Sequence, residues 1–236
     1  MTGQSLVDLY QEVWAKFIKS EINTGTDNND DKLLDRGFVF QFDEKITDVD
    51  VLFVGINPSY NGIPEQSKFY TREQSLQHKY FKPFENIKNE LSSNYNREIV
   101  WSHTDLLVFR ETKQEFIKNS VLKSSEGVDF VWKQLEISKE ILEYINPKII
   151  VVSNTQARTF LGADKYVAKG KEHNSWMNYE FTFDVELGTR KIINNNQFEP
   201  YVFFTSMLSG QRALDNGSKE RLVWHIDQVL KKVSNS

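Results

Sequence analysis

The segment Val51-Leu52-Phe53-Val54-Gly55-Ile56-Asn57-Pro58-Ser59 decides the fold predicted for this chain. Its first four residues are all large and apolar, which is typical of a strand covered by other structure on both faces. Gly55 and the pair Asn57-Pro58 then end the strand, because proline fixes the backbone and removes a hydrogen-bond donor. We therefore predict a buried strand in the middle of a sheet, with a turn at its carboxyl end.

Helix and strand patterns alternate on both sides of this segment. Apolar residues at spacings of three and four predict helices, whereas short β-branched and aromatic runs predict strands. The predicted helices are 5–22, 84–91, 130–145, 155–160 and 218–233, and the predicted strands are 38–40, 99–109, 149–152 and 201–204, with a hairpin over 179–193. This alternation predicts an α/β three-layer sandwich with a mostly parallel central sheet and an antiparallel hairpin insertion.

Length and composition predict one cytoplasmic domain over residues 1–236. A chain of 236 residues is ample for a single buried core, and 39% of its residues are hydrophobic. No apolar run reaches the roughly 20 residues that cross a bilayer, and the first residues lack a leader pattern, so no membrane partner is expected. The absence of cysteine excludes disulfides, thiol nucleophiles and cysteine-ligated metals.

Charge and motif content narrow the cofactors and partners. The net charge of −4 does not by itself indicate a nucleic-acid partner, although a local basic face is compatible with it. The four histidines show no metal-site spacing, and the sequence contains no glycine-rich phosphate loop. We therefore predict no metal and no cofactor.

The predicted sheet places several polar segments at one edge. In parallel α/β sheets, ligands bind beyond the carboxyl ends of the strands. Those ends are followed here by residues 55–60, 105–110, 153–156 and 205–210. The sequence therefore predicts a ligand site at this edge, with Gly55–Ser59 at its centre.

The segments at this edge resemble the motifs of the uracil-DNA glycosylase superfamily. Gly55-Ile56-Asn57-Pro58 is similar to the first motif of the mismatch-specific branch, which reads Gly-Ile-Asn-Pro-Gly, with Ser59 in place of the last glycine. The second motif, laid over residues 204–209, matches at Ser206, Leu208 and Ser209. The resemblance covers roughly residues 49–230, apart from the hairpin around 179–193, and implies a single uracil-DNA glycosylase-like domain.

The resemblance also implies catalytic roles. Asn57 corresponds to the asparagine that orients the hydrolytic water. Phe204 stands where the family has a histidine or asparagine that supports the leaving base, and a phenyl ring cannot donate that hydrogen bond. Asp105 stands where several branches have a base-reading asparagine, and an ionised carboxylate only accepts hydrogen bonds. We therefore expect Asn57 and Asp105 to be the catalytic residues.

The remaining predicted contacts surround these two residues. Stacking on an extruded base is expected from one of the aromatic residues Tyr60, Phe69, Tyr70 and Tyr80. The residues predicted to bind substrate are Gly55, Ile56, Pro58, Ser59, Tyr60, Ser206 and Ser209. The residues predicted to contact DNA are Arg110, Arg158, Gln211 and Arg212.

The function expected from the sequence is that of a DNA glycosylase-like hydrolase in DNA repair. It would bind DNA or a nucleobase and hydrolyse an N-glycosidic bond. Two alternatives remain open: a catalytically inactive module of the same fold that binds nucleic acid or protein, and an enzyme acting on a free nucleoside. A contiguous basic rim would favour nucleic acid, whereas a closed neutral or acidic pocket would favour a small molecule.

Overall fold

A six-stranded, mostly parallel sheet organises the part of the chain that the structure describes. The structure is a computed structural model that describes residues 1–23, 25–26, 29–46, 48–64, 67–95, 97–164, 166–168, 171–173, 176–193, 198–209 and 213–234. The helices are α1 (Gly3–Phe17), α2 (Arg72–Ser75), α3 (Lys82–Tyr95), α4 (Gln114–Asn119), α5 (Ser125–Ile145), α6 (Thr155–Leu161) and α7 (Asn216–Ser234), with 3-10 turns at Lys79–Phe81 and Val121–Lys123.

The strands are β1 (Gly25–Thr26), β2 (Asn29–Lys32), β3 (Val39–Gln41), β4 (Val51–Gly55), β5 (Lys68–Tyr70), β6 (Trp101–Asp105), β7 (Ile149–Val152), β8 (Tyr166–Ala168), β9 (Lys171–His173), β10 (Glu180–Asp184), β11 (Thr189–Ile193) and β12 (Tyr201–Phe204). The main sheet has the order β10-β11-β12-β7-β4-β6. Strands β12, β7, β4 and β6 are parallel, whereas β10 and β11 form the predicted antiparallel hairpin. The apolar run of β4 lies between β7 and β6, so its predicted position inside the sheet is confirmed.

Helices cover both faces of this sheet. On one face, α1 and α5 bury Leu6, Tyr10, Phe130 and Leu135 in a core that also contains Val152. On the other face, α3 and α7 contribute apolar side chains to a separate core around Phe53 and Trp101, namely Phe84, Ile87, Ile226 and Val229. We call these the α1/α5 face and the α3/α7 face. The arrangement is compatible with the predicted three-layer sandwich.

One predicted strand is much longer than the strand that the structure shows. The apolar run Ile99–Phe109 was predicted as one strand, but β6 ends at Asp105. Beyond it, Leu106–Phe109 are buried in the α1/α5 core, and the Val108 carbonyl accepts from the Val39 N–H. The small sheet of β3 and β5 explains this, because Phe38 and Val39 at its edge pair with Val108 and Phe109.

Among the residues described above, no helix is both long enough and apolar enough to cross a bilayer.

Candidate active site

Alternation along β6 directs two titratable side chains to the α3/α7 face. Side chains two residues apart in a strand lie on the same face. Trp101 belongs to the core on the α3/α7 face, so His103 and Asp105 are directed there as well. Asp105 is the last residue of the strand, and His103 lies one layer deeper.

Asp105 lies directly over Gly55, which explains why the motif begins with glycine. The two residues are register partners at the carboxyl ends of β6 and β4. A Cβ atom on residue 55 would lie only 2.1 Å from Asp105 Oδ1 and 3.3 Å from its carboxyl carbon. Only glycine leaves room for the carboxyl group of Asp105 in this position.

Replacing Gly55 by Ala is expected to displace Asp105. Overpacking of this kind costs about 1–3 kcal/mol, so the free energy of unfolding should fall by that amount, and any activity that depends on Asp105 should be lost. Denaturant unfolding checks the first effect. The substitution should cost clearly less in an Asp105→Ala background, where the clashing oxygen is gone, and an equal cost in both backgrounds would contradict the proposed contact.

The carboxyl group of Asp105 is buried without a cationic partner. Its residue exposure is 8%, and no Lys or Arg of the described residues forms an ion pair with it. Burial raises the pKa of Asp105 to about 7, because the charged form loses hydration. A carboxyl group with this pKa exchanges a proton readily at neutral pH.

His103 lies beneath Asp105 as a neutral imidazole. Burial lowers the pKa of His103 to about 3, and only 2% of the residue is exposed. Its Nε2 atom is 3.8 Å from Asp105 Oδ1, and neither ring nitrogen has a hydrogen-bond partner in the described structure. Phe84 stacks on the ring at 5.6 Å with an interplanar angle of 16°, and Phe81 meets it edge-on at 5.1 Å.

Two tyrosine phenols, of Tyr70 and Tyr80, lie close enough to Asp105 to be affected by its charge. Tyr70 ends β5, and Tyr80 lies in the 3-10 turn that precedes α3. Burial raises the pKa of both phenols, and the charge on Asp105 raises it further, so both hydroxyl groups stay protonated and can donate. Phe81 packs against both rings, at 6.1 Å from Tyr70 and 5.0 Å from Tyr80.

Asn57 connects the segment that follows β4 to the segment that follows β6. Its Nδ2 atom donates to the carbonyl oxygens of Glu111 (2.6 Å) and Pro58 (3.0 Å). The backbone reinforces the junction, since Leu107 N–H donates to Ile56 and Glu111 N–H donates to Pro58. The amide oxygen of Asn57 accepts no hydrogen bond from the described residues, and it is the atom available to a water.

Arg110 and Tyr60 have structural positions that differ from their predicted roles. Arg110 is only 4% exposed, and its guanidinium donates to the carbonyl of Ile63 (2.9 Å) and to Asn61 Oδ1 (3.1 Å). The Tyr60 ring lies against the guanidinium groups of Arg110 (5.2 Å) and Arg36 (4.6 Å). Both residues therefore hold the loop after β4 in place, and Arg110 is not placed to contact a phosphate.

Four residues considered from the sequence lie at or after the ends of strands β7 and β12. Strand β12 is three strand spacings from β6, which is on the order of 14 Å. Ser206 is exposed and Ser209 half-buried beyond this end. Phe204 packs with the α1/α5 core, and the Arg158 guanidinium lies 5.2 Å from its ring and pairs with Asp164 at 2.7 Å. Phe204 and Arg158 thus lie against the core on the face of the sheet opposite to Asp105.

The other predicted contacts are placed as follows. Ile56 is buried in the α1/α5 core, so its side chain packs inside the protein. The Phe69 side chain is partly buried against the same core and stacks on Phe40 at 6.0 Å. Pro58 is half-buried and Ser59 is exposed at the turn. Gln211 and Arg212 lie outside the described residues.

His103 and Phe81 are the site residues that the sequence interpretation underweighted. The signal for His103 was present in the alternation Trp101, His103, Asp105, which places the imidazole on the carboxylate face of the strand. No local pattern indicated Phe81, because several aromatic residues precede α3 and nothing in the sequence distinguishes one from another. Its orientation depends on where η1, the 3-10 turn Lys79–Phe81, packs against β6.

Comparison with known proteins adds no family to this geometry. No protein-family model matches the sequence, and no curated protein is significantly similar to it. The indications of function are therefore the side chains around Asp105 and the motif resemblance at Gly55–Pro58.

Proposed function

We propose that this protein hydrolyses an N-glycosidic bond, with Asp105 as the general base. The observation that carries the proposal is the carboxyl group of Asp105 at the carboxyl end of β6, which is buried, has no Lys or Arg partner among the described residues and has a pKa raised to about 7. A base whose pKa lies near the working pH is effective in proton transfer. The side chain of Asp105 keeps 10% of its surface exposed, so a water can reach it.

In the proposed reaction, Asp105 and Asn57 act on one water molecule. The Asp105 carboxylate takes a proton from water while the water oxygen forms a bond to the anomeric carbon of the sugar. The bond from that carbon to the base nitrogen breaks, and its electron pair leaves with the base. The Asn57 amide oxygen is free to accept a hydrogen bond from the second O–H of the water, because Nδ2 is held by backbone carbonyls. Asn57 would thus orient the water without acting as a base.

The aromatic residues beside Asp105 suit a flat nucleobase. Tyr70 and Tyr80 are half-buried, so part of each ring remains available for stacking. Their protonated hydroxyl groups can donate to base carbonyl oxygens, where negative charge develops as the base leaves. These hydroxyl groups would replace the hydrogen-bond donor that Phe204, on the α1/α5 face, cannot supply. The resemblance of Gly55–Pro58 to the glycosylase first motif supports the same reaction class.

Extruded bases in DNA are the first substrate class we propose. Lys79 and Lys82 are exposed on either side of Tyr80 and Phe81, so cationic groups flank the aromatic approach to Asp105. Such lysines neutralise backbone phosphates. A free nucleoside is the second candidate, and it is favoured by the burial of Arg110 and by the pairing of Arg158 with Asp164.

Base release from two substrate sets tests the proposal. Oligonucleotides with uracil, hypoxanthine, xanthine or mismatched bases are incubated with the protein and abasic sites are cleaved, while free nucleosides are followed by chromatography of the released base. We expect product from the oligonucleotides. Product from nucleosides alone would establish the second candidate, and no product from either set would overturn the hydrolase. DNA retention at low salt without product would instead indicate a binding module.

A matched pair of charge variants tests the DNA contact. Lys79→Gln combined with Lys82→Gln should weaken DNA binding and make it less dependent on salt. The reason is that binding with fewer phosphate contacts releases fewer counterions. Lys118→Gln combined with Lys123→Gln removes two exposed charges from a segment that packs on the α1/α5 core, and it should leave binding unchanged. An equal effect of both changes would indicate nonspecific attraction and contradict the assigned DNA path.

A further inference from the structure

His103 carries two buried nitrogen atoms with no hydrogen-bond partner. Both Nδ1 and Nε2 lack a partner in the described structure, and the residue is 2% exposed. Buried polar atoms are nearly always bonded, because an unmade hydrogen bond leaves the cost of desolvation uncompensated. A buried imidazole with both nitrogens uncommitted, directly beneath the proposed base, therefore calls for a function.

Aromatic side chains hold the imidazole ring of His103 in place, whereas the carboxyl group of Asp105 can rotate. Phe84 stacks on the imidazole, and Phe81 and Tyr80 meet it nearly edge-on at 5.1 and 6.0 Å. The distance of 3.8 Å between His103 Nε2 and Asp105 Oδ1 is too long for a hydrogen bond. Rotation of the carboxyl group that shortens it by about 0.6 Å would form one.

We propose that His103 is a positioning residue that holds the Asp105 carboxyl group from below through its Nε2 atom. This inference rests on the role proposed for Asp105 and adds the residue that orients it. His103 does not reach the substrate, because Asp105 and the aromatic side chains lie between it and solvent.

The neutral imidazole suits both states of the carboxyl group. It has one donor and one acceptor nitrogen, and neither is fixed by another residue. With Asp105 ionised, Nε2–H donates to the carboxylate; with Asp105 protonated, its O–H donates to Nε2. The bond to the charged group is the stronger of the two, so His103 favours the carboxylate overall.

Few other titratable groups face this pair. Tyr70 from β5 and Tyr80 from the turn before α3 are the phenols that interact with the Asp105 charge. Strand β4 presents Gly55 and Phe53, and α3 presents Phe84. Two charged groups on this face, Glu85 of α3 and Arg72 of α2, lie at Trp101, two residues before His103. A change in the titration of Asp105 on replacing His103 can therefore be assigned to the imidazole.

Carboxyl ¹³C NMR titration of the full-length protein tests the proposal without an activity assay. In His103→Phe, the pKa of Asp105 should rise by about one unit, because the donor is gone. His103→Gln, whose amide nitrogen can lie near the position of Nε2, should restore most of the wild-type value. Ser102→Ala, on the opposite face of β6, should leave it unchanged. An unchanged or lowered pKa in His103→Phe would overturn the proposal.

A second readout uses the wild-type protein and does not require a variant to fold. The ¹⁵N shifts of His103 should change from the Nε2–H to the Nδ1–H tautomer as the pH falls through the titration of Asp105, without the ring becoming charged. A fixed tautomer across this range would overturn the proposal. Because both readouts follow the pair directly, a protein that shows this coupling but releases no base would refute the proposed hydrolysis alone.

Discussion

Replacing Asp105 by Asn is expected to abolish base release while stabilising the fold above pH 7. The amide cannot take a proton from water, so the rate should fall by about 10²–10⁴-fold, the usual contribution of a general base. In the wild-type protein, the rate should rise with pH up to about 7 and then level off, as Asp105 becomes ionised. A rate in Asp105→Asn within threefold of wild type would exclude the assigned role.

The gain in stability follows from the raised pKa. The unfolded chain ionises Asp105 near 3.8, whereas the folded protein holds the proton until about pH 7. Stability from this group is therefore complete below the unfolded pKa and is lost as the pH rises through the folded pKa. The shift corresponds to roughly 4 kcal/mol as an upper bound. Denaturant unfolding at pH 5 and pH 8 should show a smaller difference in Asp105→Asn than in wild type.

Asp50 provides a matched control of opposite sign. Burial alone would raise its pKa, but hydrogen bonds from Arg97, Lys148 and the Val100 N–H outweigh burial, and the pKa is lowered. Its contribution is present above the unfolded pKa and is lost as the pH falls through the folded pKa. Asp50→Asn should therefore destabilise the protein at pH 8. Equal effects of the two Asp→Asn changes would contradict the electrostatic assignment.

Replacing Arg36 by Met is expected to give the largest loss of stability, about 3–5 kcal/mol. Arg36 Nη1 is 2.7 Å from Glu111 Oε2, and the two side chains are 1% and 4% exposed. Removing the guanidinium leaves the Glu111 carboxylate buried without its counter-charge. The change also removes a cation over the Tyr60 ring, so the loop that carries Asn57 should loosen. Denaturant midpoints at pH 7 measure the loss.

Two comparisons separate charge burial from loss of packing. The double change Arg36→Met, Glu111→Leu should recover much of the loss, because no unpaired charge remains. Lys16→Met, which breaks the exposed pair with Asp129, should cost less than about 1 kcal/mol. If the double variant were as unstable as Arg36→Met, the packing of Arg36 rather than its charge would explain the effect.

Much of the fold follows from local patterns. The apolar run of β4, the hairpin at 179–193 and the helix over residues 130–145 each carry a periodicity that belongs to one type of element, and the structure contains all three. The end of β6 could not be predicted from the local pattern, because the apolar residues continue through Leu106–Phe109. Only the presence of β3 shows that these residues leave the main sheet.

The candidate site divides in the same way. The sequence by itself determined that Gly55–Pro58 and Asp105 lie at the carboxyl edge of parallel strands, because strand order and strand polarity fix that edge. The tertiary structure decided which side chains share a face there. It buried Arg110 under the Tyr60 loop, turned Phe204 toward the opposite core, and brought His103, Tyr70 and Tyr80 to Asp105. The pKa of Asp105 depends on that burial, since desolvation comes from residues distant in sequence and leaves no mark on the local pattern.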